Sequence, residues 1–153
     1  MENYQGDVKN GKMHGKGVLR LADGSVYRGS FINGQLCGYG EMTYSNGICY
    51  KGEFKNNLRH GKGICNYPGG ACYEGEYKQG KRSGKGKYTF ASGGVYKGEF
   101  SEDKLCGYGE MTYSNGDCYK GMWKNDKYNG KGRYIYADGH VEEGVYVDNV
   151  LRK

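Results

Sequence analysis

The chain alternates apolar and polar side chains in short stretches that return at a fixed interval of 23 residues. From Tyr50 to Lys55, aromatic and glycine residues alternate with charged ones, which is typical of a strand with one buried face. Turn dipeptides such as Asn10-Gly11 follow these stretches at positions 7 and 8 of the unit. We expect a second strand over positions 13 to 18 and another turn, such as Asp23-Gly24, at positions 20 and 21. Each unit therefore reads as a β-hairpin with no room for a helix.

The repeat extends over essentially the whole chain without insertions. Glycine occupies positions 3, 12, 14 and 21 of every full unit, which indicates positive φ or close backbone approach at the same places each time. A partial seventh unit, residues 142–153, follows as a cap, so the sequence predicts one repeat domain over residues 1–153. The six full units begin at Tyr4, Tyr27, Tyr50, Tyr73, Tyr96 and Tyr119.

The composition shows that the core is aromatic. Val, Ile, Leu and Phe number 22 of 153 residues, below the ~20% typical of a chain with a conventional core. Seventeen tyrosines and a net charge of only +6 argue against disorder. Positions 1, 3, 5, 14, 16 and 18 share one face by parity, so rings cover glycines there while positions 2, 4 and 6 face water. We predict an all-β fold: an elongated, twisted, single-layer antiparallel sheet of about thirteen strands, roughly 60 Å long, with an aromatic groove.

The repeated residues resemble those of the MORN (membrane occupation and recognition nexus) family. Its unit is close to Tyr-x-Gly-x-x-x-x-Gly-x-x-His-Gly-x-Gly with an aromatic residue at position 5, and Tyr4, Gly6, Gly11, His14, Gly15 and Gly17 match it. The resemblance implies stacked hairpins with a groove along one face, and a binding or scaffolding role. The family histidine at position 11 is replaced in four units, so His14 and His60 are interpreted as turn residues. The replacements are Cys37, Ser83, Cys106 and Asn129.

No catalytic or metal-binding constellation stands out in the sequence. The three histidines lie in separate units, and the six cysteines fall at repeat positions without a CxxC pair. We interpret the cysteines as small buried side chains with free thiols. Gly6 to Lys12 and Gly75 to Lys81 imitate the start of a phosphate-binding loop but lack its Ser or Thr. We therefore expect no enzyme activity, no cofactor and no metal.

The aromatic face is the first candidate for partner binding. A single layer cannot fully cover its own apolar face, so an extended peptide or an amphipathic helix would complement the groove. The alternative interpretation is that the rings are simply the core of the sheet. One predicted row is Phe31, Phe54, Tyr77, Phe100 and Trp123, and the other is Tyr44, Tyr67, Phe90, Tyr113 and Tyr136.

A basic lateral edge is the second candidate. Regularly spaced cations at positions 6 to 13 would suit anionic phospholipid headgroups, although a merely solvated edge explains them as well. Interleaved glutamates make nucleic acid an unlikely partner. The edge residues are Lys55, Arg59, Lys62, Lys78, Lys81, Arg82, Lys85, Lys127 and Lys131.

The remaining expectations concern the sheet's end and the compartment. Val145 to Val147 reads as a short strand with an unpaired edge, which either is blocked by charge or forms a homodimer.

No apolar run reaches the ~18 residues of a membrane span, and Met1 to Asn10 has no apolar stretch. We expect a cytoplasmic scaffold, and the family resemblance implies a cytoskeletal, ciliary, axonemal or membrane-associated setting.

Overall fold

The computed structural model describes residues 3–152, so Met1, Glu2 and Lys153 of the predicted repeat domain lie outside the described residues. Within that range all regular structure is β, and the strands are ordered β1 to β14 in one antiparallel sheet. The strands are β1 (Tyr4–Lys9), β2 (Lys12–Arg20), β3 (Val26–Ile32), β4 (Gln35–Thr43), β5 (Cys49–Lys55), β6 (Leu58–Asn66), β7 (Cys72–Lys78), β8 (Lys81–Thr89), β9 (Val95–Ser101), β10 (Lys104–Thr112), β11 (Cys118–Lys124), β12 (Lys127–Ile135), β13 (Val141–Val147) and β14 (Val150–Arg152).

Each repeat unit forms one hairpin, as the sequence predicts. The turn at positions 7 and 8 places both residues at positive φ, for example 52° at Asn10 and 75° at Gly11. Two-residue turns of this conformation match the twist of the flanking strands, which explains the Asn-Gly dipeptides. Where glycine is absent the turn uses Asn or Asp, which tolerate this region better than other side chains.

The second strand of each hairpin is longer than predicted. β4 begins at position 9, directly after the turn, because a two-residue turn leaves no loop. Gly38, at position 12, has a φ of 96°, and the register of β3 and β4 shifts between Gly29 and Phe31. The irregularity lies inside the strand, so the prediction that the strand starts at position 13 is wrong.

Tyrosines at position 1 form the centre of the core. The ring of Tyr27 is fully buried and covers Gly40, where an added Cβ would overlap the ring and its hydroxyl. Its hydroxyl donates to the carbonyl of Ser30 at 2.9 Å. This confirms that glycine opens space beneath the rings.

The chain forms two compact units, each with its own ladder of edge-to-face rings. Unit 1 comprises residues up to Gly70 together with Glu76–Lys81, and unit 2 comprises Ala71–Gly75 and Arg82 onward. Neighbouring rings in each ladder have centroids 5.1 to 5.5 Å apart, a favourable aromatic geometry. The ladder of unit 1 is Tyr4, Phe31, Tyr27, Phe54, Tyr50 and Tyr77, and that of unit 2 is Tyr73, Phe100, Tyr96, Trp123, Tyr119 and Tyr146.

The C-terminal edge differs from the prediction. β14 pairs with Val145, Tyr146 and Val147, so these residues are not an unpaired edge. The two-residue turn at Asp148 and Asn149, both at positive φ, folds the chain back as in every other unit. Within residues 3–152, the open side of β13 is limited to Val141–Gly144.

Candidate functional site

A groove of about 560 Å³ lies on the aromatic face of unit 2. Its position follows from side-chain parity, since even positions of the second strands and odd positions of the first strands face the same way. The lining residues come from β8, β9, β10, β11 and β12, from three hairpin turns, and from the positions directly after β8 and β10. They are Arg82, Tyr88, Phe90, Phe100, Asp103, Leu105, Met111, Tyr113, Trp123, Asp126, Tyr128 and Asn149.

The floor of the groove consists of core rings. Phe100 and Trp123 are only 3% and 5% exposed, because the tyrosine ladder packs against their edges. The indole Nε1 of Trp123 donates to the carbonyl of Gly109 at 3.2 Å, which fixes the ring orientation. These rings stabilise the sheet first and offer only a small part of their surface to a partner.

The walls of the groove are more accessible than the floor. Phe90 and Tyr113 lie on one wall, and both are half-buried. The hydroxyl of Tyr113 meets that of Tyr128 from the opposite side, and burial raises the pKa of Tyr113. Tyr128 in turn stacks face to face on Tyr119 at 3.9 Å. The rings that a partner can reach are therefore already oriented.

Arg82 lies inside the groove, above the rings. Its guanidinium carbon is 5.2 Å from the centroid of Tyr88 and 5.5 Å from that of Phe100. Its Nε is 3.2 Å from Oδ1 of Asp103, an ion pair with about half of the carboxylate side chain exposed. Cation–π contact and ion pairing together hold the cation in place.

Unit 1 repeats this arrangement of buried rings, a half-buried ring and an arginine above them. Phe31, Phe54 and Tyr77 are buried, and Tyr44 is half-buried like its counterparts in unit 2. Arg59 occupies the place of Arg82, with its guanidinium carbon 5.2 Å from Tyr44, 4.9 Å from Tyr50 and 5.5 Å from Tyr77.

The structure separates the two predicted ring rows by depth. The row of Phe31, Phe54, Tyr77, Phe100 and Trp123 is buried, as the core interpretation requires, whereas the other row is half-buried and lines the open side. That second row is Tyr44, Tyr67, Phe90, Tyr113 and Tyr136.

The nine basic residues predicted at a lateral edge divide into two groups. Arg59 and Arg82 stand at position 10, which belongs to the second strand and faces the aromatic groove, so they lie over rings. The other seven are exposed: Lys55, Lys62, Lys78, Lys81, Lys85, Lys127 and Lys131.

Sequence reasoning missed the side chains at position 8. Oδ1 of Asp103 accepts the backbone N–H of Arg82 in the preceding hairpin at 2.8 Å. Asn57, Asp126 and Asn149 do the same for position 10 of their preceding hairpins. The signal was present, because position 8 is either Gly or a short acceptor side chain.

Histidine makes a different link between hairpins where position 8 is glycine. Nδ1 of His14 accepts the N–H of Asn33, and Nδ1 of His60 accepts that of Gln79, both at 3.4 Å. The interpretation of these histidines as turn residues is wrong, because His14 lies inside β2 and His60 inside β6. Each links its own hairpin to the turn of the next.

The opposite face of unit 2 is less polar than predicted. Tyr108 is 48% exposed, and with Met122 and Val145 it flanks a glycine-floored depression of about 690 Å³. Lys120 and Lys131 border the same depression.

Residues 3–152 contain neither a metal-ligand cluster nor a disulfide. Among them no group of three His, Cys, Asp or Glu side chains is arranged to hold a metal ion, and the six cysteines form no disulfide. The part of the chain that the structure describes also has no helix long and apolar enough to cross a membrane.

Comparison with known proteins supports the repeat assignment. The family model of the MORN repeat matches six consecutive segments, residues 4–26, 27–49, 50–72, 73–95, 96–118 and 119–141. Comparison with curated proteins gave no match.

Two solved structures that match the chain share little sequence with it. One is the TCP domain of Drosophila melanogaster SAS-4 (dCPAP), in complex with a proline-rich motif of Ana2 (dSTIL). It is 14% identical, with a TM-score of 0.37, over 86% of this chain and 85% of that one. Another is the TCP10 domain of Danio rerio CPAP, in complex with a peptide of STIL. It is 13% identical, with a TM-score of 0.24, over 88% of this chain and 82% of that one.

Proposed function

The chain belongs to the MORN-repeat family, and we propose that it is a non-enzymatic scaffold that binds protein partners through its aromatic groove. The observation that carries the proposal is the exposed part of the groove in unit 2. Half-buried rings such as Phe90 and Tyr113 line an open depression over a rigid floor. Aromatic side chains held in this way contribute most to protein interfaces at the smallest entropic cost.

The partner segment that we propose is an extended peptide or an amphipathic helix. Both present a row of side chains with a regular spacing, and the groove offers its rings at a regular spacing too. Because the resemblance to the family implies it, the setting we propose is a cytoplasmic assembly of the cytoskeleton, the cilium or axoneme, or a membrane-associated structure.

Site-specific photo-crosslinking in the source cell tests this proposal. A benzoylphenylalanine placed at Phe90 should yield covalent adducts with one or a few proteins, identified by mass spectrometry. The matched position is Tyr108, which lies in the same unit on the opposite face. Purified partner should then lose affinity for the Phe90→Ala variant and keep it for Tyr108→Ala. Adducts that form equally well from Tyr108, or an affinity untouched by Phe90→Ala, would refute the groove as the site.

An alternative function is binding of anionic phospholipid, and one observation favours it. The seven lysines of the predicted lateral edge are exposed, with Lys131 bordering the depression on the opposite face, and each cation near a charged membrane adds about 1 kcal/mol of attraction. The chain should then float with phosphatidylserine vesicles at low salt but not with phosphatidylcholine vesicles. Lys55→Glu and Lys78→Glu should weaken flotation, and flotation that is independent of lipid charge would exclude this function.

A second copy of the chain is the remaining partner that we consider. The open edge of β13 over Val141–Gly144 provides unpaired backbone groups for an end-to-end dimer. Light scattering of the purified chain distinguishes a monomer, in which Glu142 and Glu143 block this edge, from a dimer.

A further inference from the structure

Successive hairpins of unit 2 repeat a carboxylate at the rim of the groove. Asp103 and Asp126 both occupy position 8, and each accepts the backbone N–H of position 10 in the preceding hairpin at 2.8 Å. Each carboxylate is thus held at the same place relative to the floor beneath it. Both residues line the groove.

The first of these carboxylates has a cation from the chain itself. Arg82 lies between the ring of Tyr88 on the wall and the ring of Phe100 on the floor, and its Nε pairs with Asp103. The same guanidinium also donates from Nη2 to the backbone carbonyl of Asp103 at 3.1 Å. Ring wall, ring floor and carboxylate together form a site that fits a guanidinium.

The next hairpin repeats the carboxylate without a cation. Asp126 supplies the carboxylate and Trp123 takes the place of Phe100 on the floor, but Met111 stands where the first site has Tyr88. The half-buried ring of Tyr113 lines the same groove. Position 10, however, is Leu105 instead of arginine. Among residues 3–152, no lysine or arginine lies within ion-pair distance of Asp126.

We propose that the carboxylate of Asp126 receives an arginine side chain from the protein partner, with its guanidinium against the half-buried ring of Tyr113. The inference rests on the proposed function and names the chemistry of the residue that the groove selects. An aromatic ring is a cation–π acceptor, and a planar guanidinium also stacks on rings better than an ammonium does. Lys104 and Lys127 do not fill the site. Both stand at position 9, and because side chains alternate between the two faces of a strand, position 9 faces away from the groove when position 10 faces into it.

Selection from a phage-displayed library of random short peptides, with the intact chain as bait, tests the inference. We expect the enriched peptides to contain one invariant arginine beside apolar residues. One such peptide is then synthesised with that arginine and with citrulline, which has nearly the same shape and no charge. Replacement by citrulline should weaken binding by about fivefold, the sum of one partly exposed cation–π contact and one partly exposed ion pair.

Variants of the chain assign the effect to Asp126. Asp126→Asn removes only the ion pair, so it should weaken the arginine peptide about threefold and leave the citrulline peptide unchanged. The variant should fold, because Asn57 and Asn149 make the same backbone bond in other hairpins. Asp138→Asn, in a turn outside the groove, should change neither affinity. Leu105→Arg should place a guanidinium in the site as Arg82 does, and so abolish binding of the arginine peptide.

The outcomes distinguish the inference from the function on which it rests. Peptides that lose affinity for Phe90→Ala, but show no preference for arginine or ignore Asp126→Asn, would overturn the arginine site and leave the groove as a binding site. If no peptide binds, or all bind equally to Phe90→Ala, both the groove and the arginine site are refuted. Circular dichroism of each variant confirms that it retains the β fold before its affinity is compared.

Discussion

Replacing Gly98 with alanine tests whether the tyrosine ladder requires glycine beneath each ring. A Cβ at Gly98 would lie 2.5 Å from the Cα of Gly109 on the paired strand and 2.6 Å from Oη of Tyr96. The first of these atoms is backbone, so rotating a side chain cannot relieve the overlap. Strands β9 and β10 must separate, and the ring of Tyr96 must move.

The loss of stability follows from the contacts of Tyr96. Its hydroxyl bond to Glu99, 2.9 Å long, contributes about 0.5–1.5 kcal/mol. Its edge contacts with Phe100 and Trp123 contribute about 0.5–1.5 kcal/mol each. The lower backbone entropy of unfolded alanine offsets about 0.5–1 kcal/mol. We expect the free energy of unfolding to fall by about 2 kcal/mol.

Gly144→Ala is the matched control for this prediction. Gly144 has the same position in its unit, but Glu142 stands where the other units have tyrosine. The nearest atom to its Cβ is the flexible Cδ1 of Leu151 at 3.0 Å, which can move aside. Urea unfolding followed by the fluorescence of Trp123, the single tryptophan, reports on the unit that contains both sites. Equal losses in the two variants would refute the role of the tyrosine ring.

Two further predictions concern the tyrosines and the turns. Burial raises the pKa of Tyr27 from 10.0 to about 12, so its contribution to stability is complete below pH 10 and is lost as the pH rises through 12. Urea unfolding over this range should show the decline, and Tyr27→Phe should reduce it; an unchanged decline would contradict the assignment. Asn57→Gly removes the bond to the preceding hairpin and should cost about 1 kcal/mol. Adding Cys37→His should restore part of that loss in urea unfolding, because His14 links its hairpin to the N–H of Asn33 in the next turn, where position 8 is Gly34. An unchanged or greater loss would show that this link is not transferable.

The sequence alone determined the six full hairpins and the face on which the rings lie, but it missed the seventh hairpin of β13 and β14. These features depend on local rules: strand parity, turn residues with positive φ, and glycines beneath the rings of residues such as Tyr27. Each rule is repeated at a 23-residue interval, so every unit confirms the others. The same reasoning could not separate floor from wall, because a buried Phe100 and a half-buried Phe90 satisfy the same pattern.

The tertiary structure decided which side chains meet across hairpins. Arg82 and Asp103 are 21 residues apart and come together because β8 pairs with β9 while the turn after β9 reaches back to β8. The second strand begins at position 9 and so includes position 10, whose even parity puts it on the aromatic face and places Arg82 over rings instead of at a lateral edge. Parity is a property of one strand, whereas a binding site depends on how neighbouring strands are aligned, and that alignment is set only when the hairpins pack.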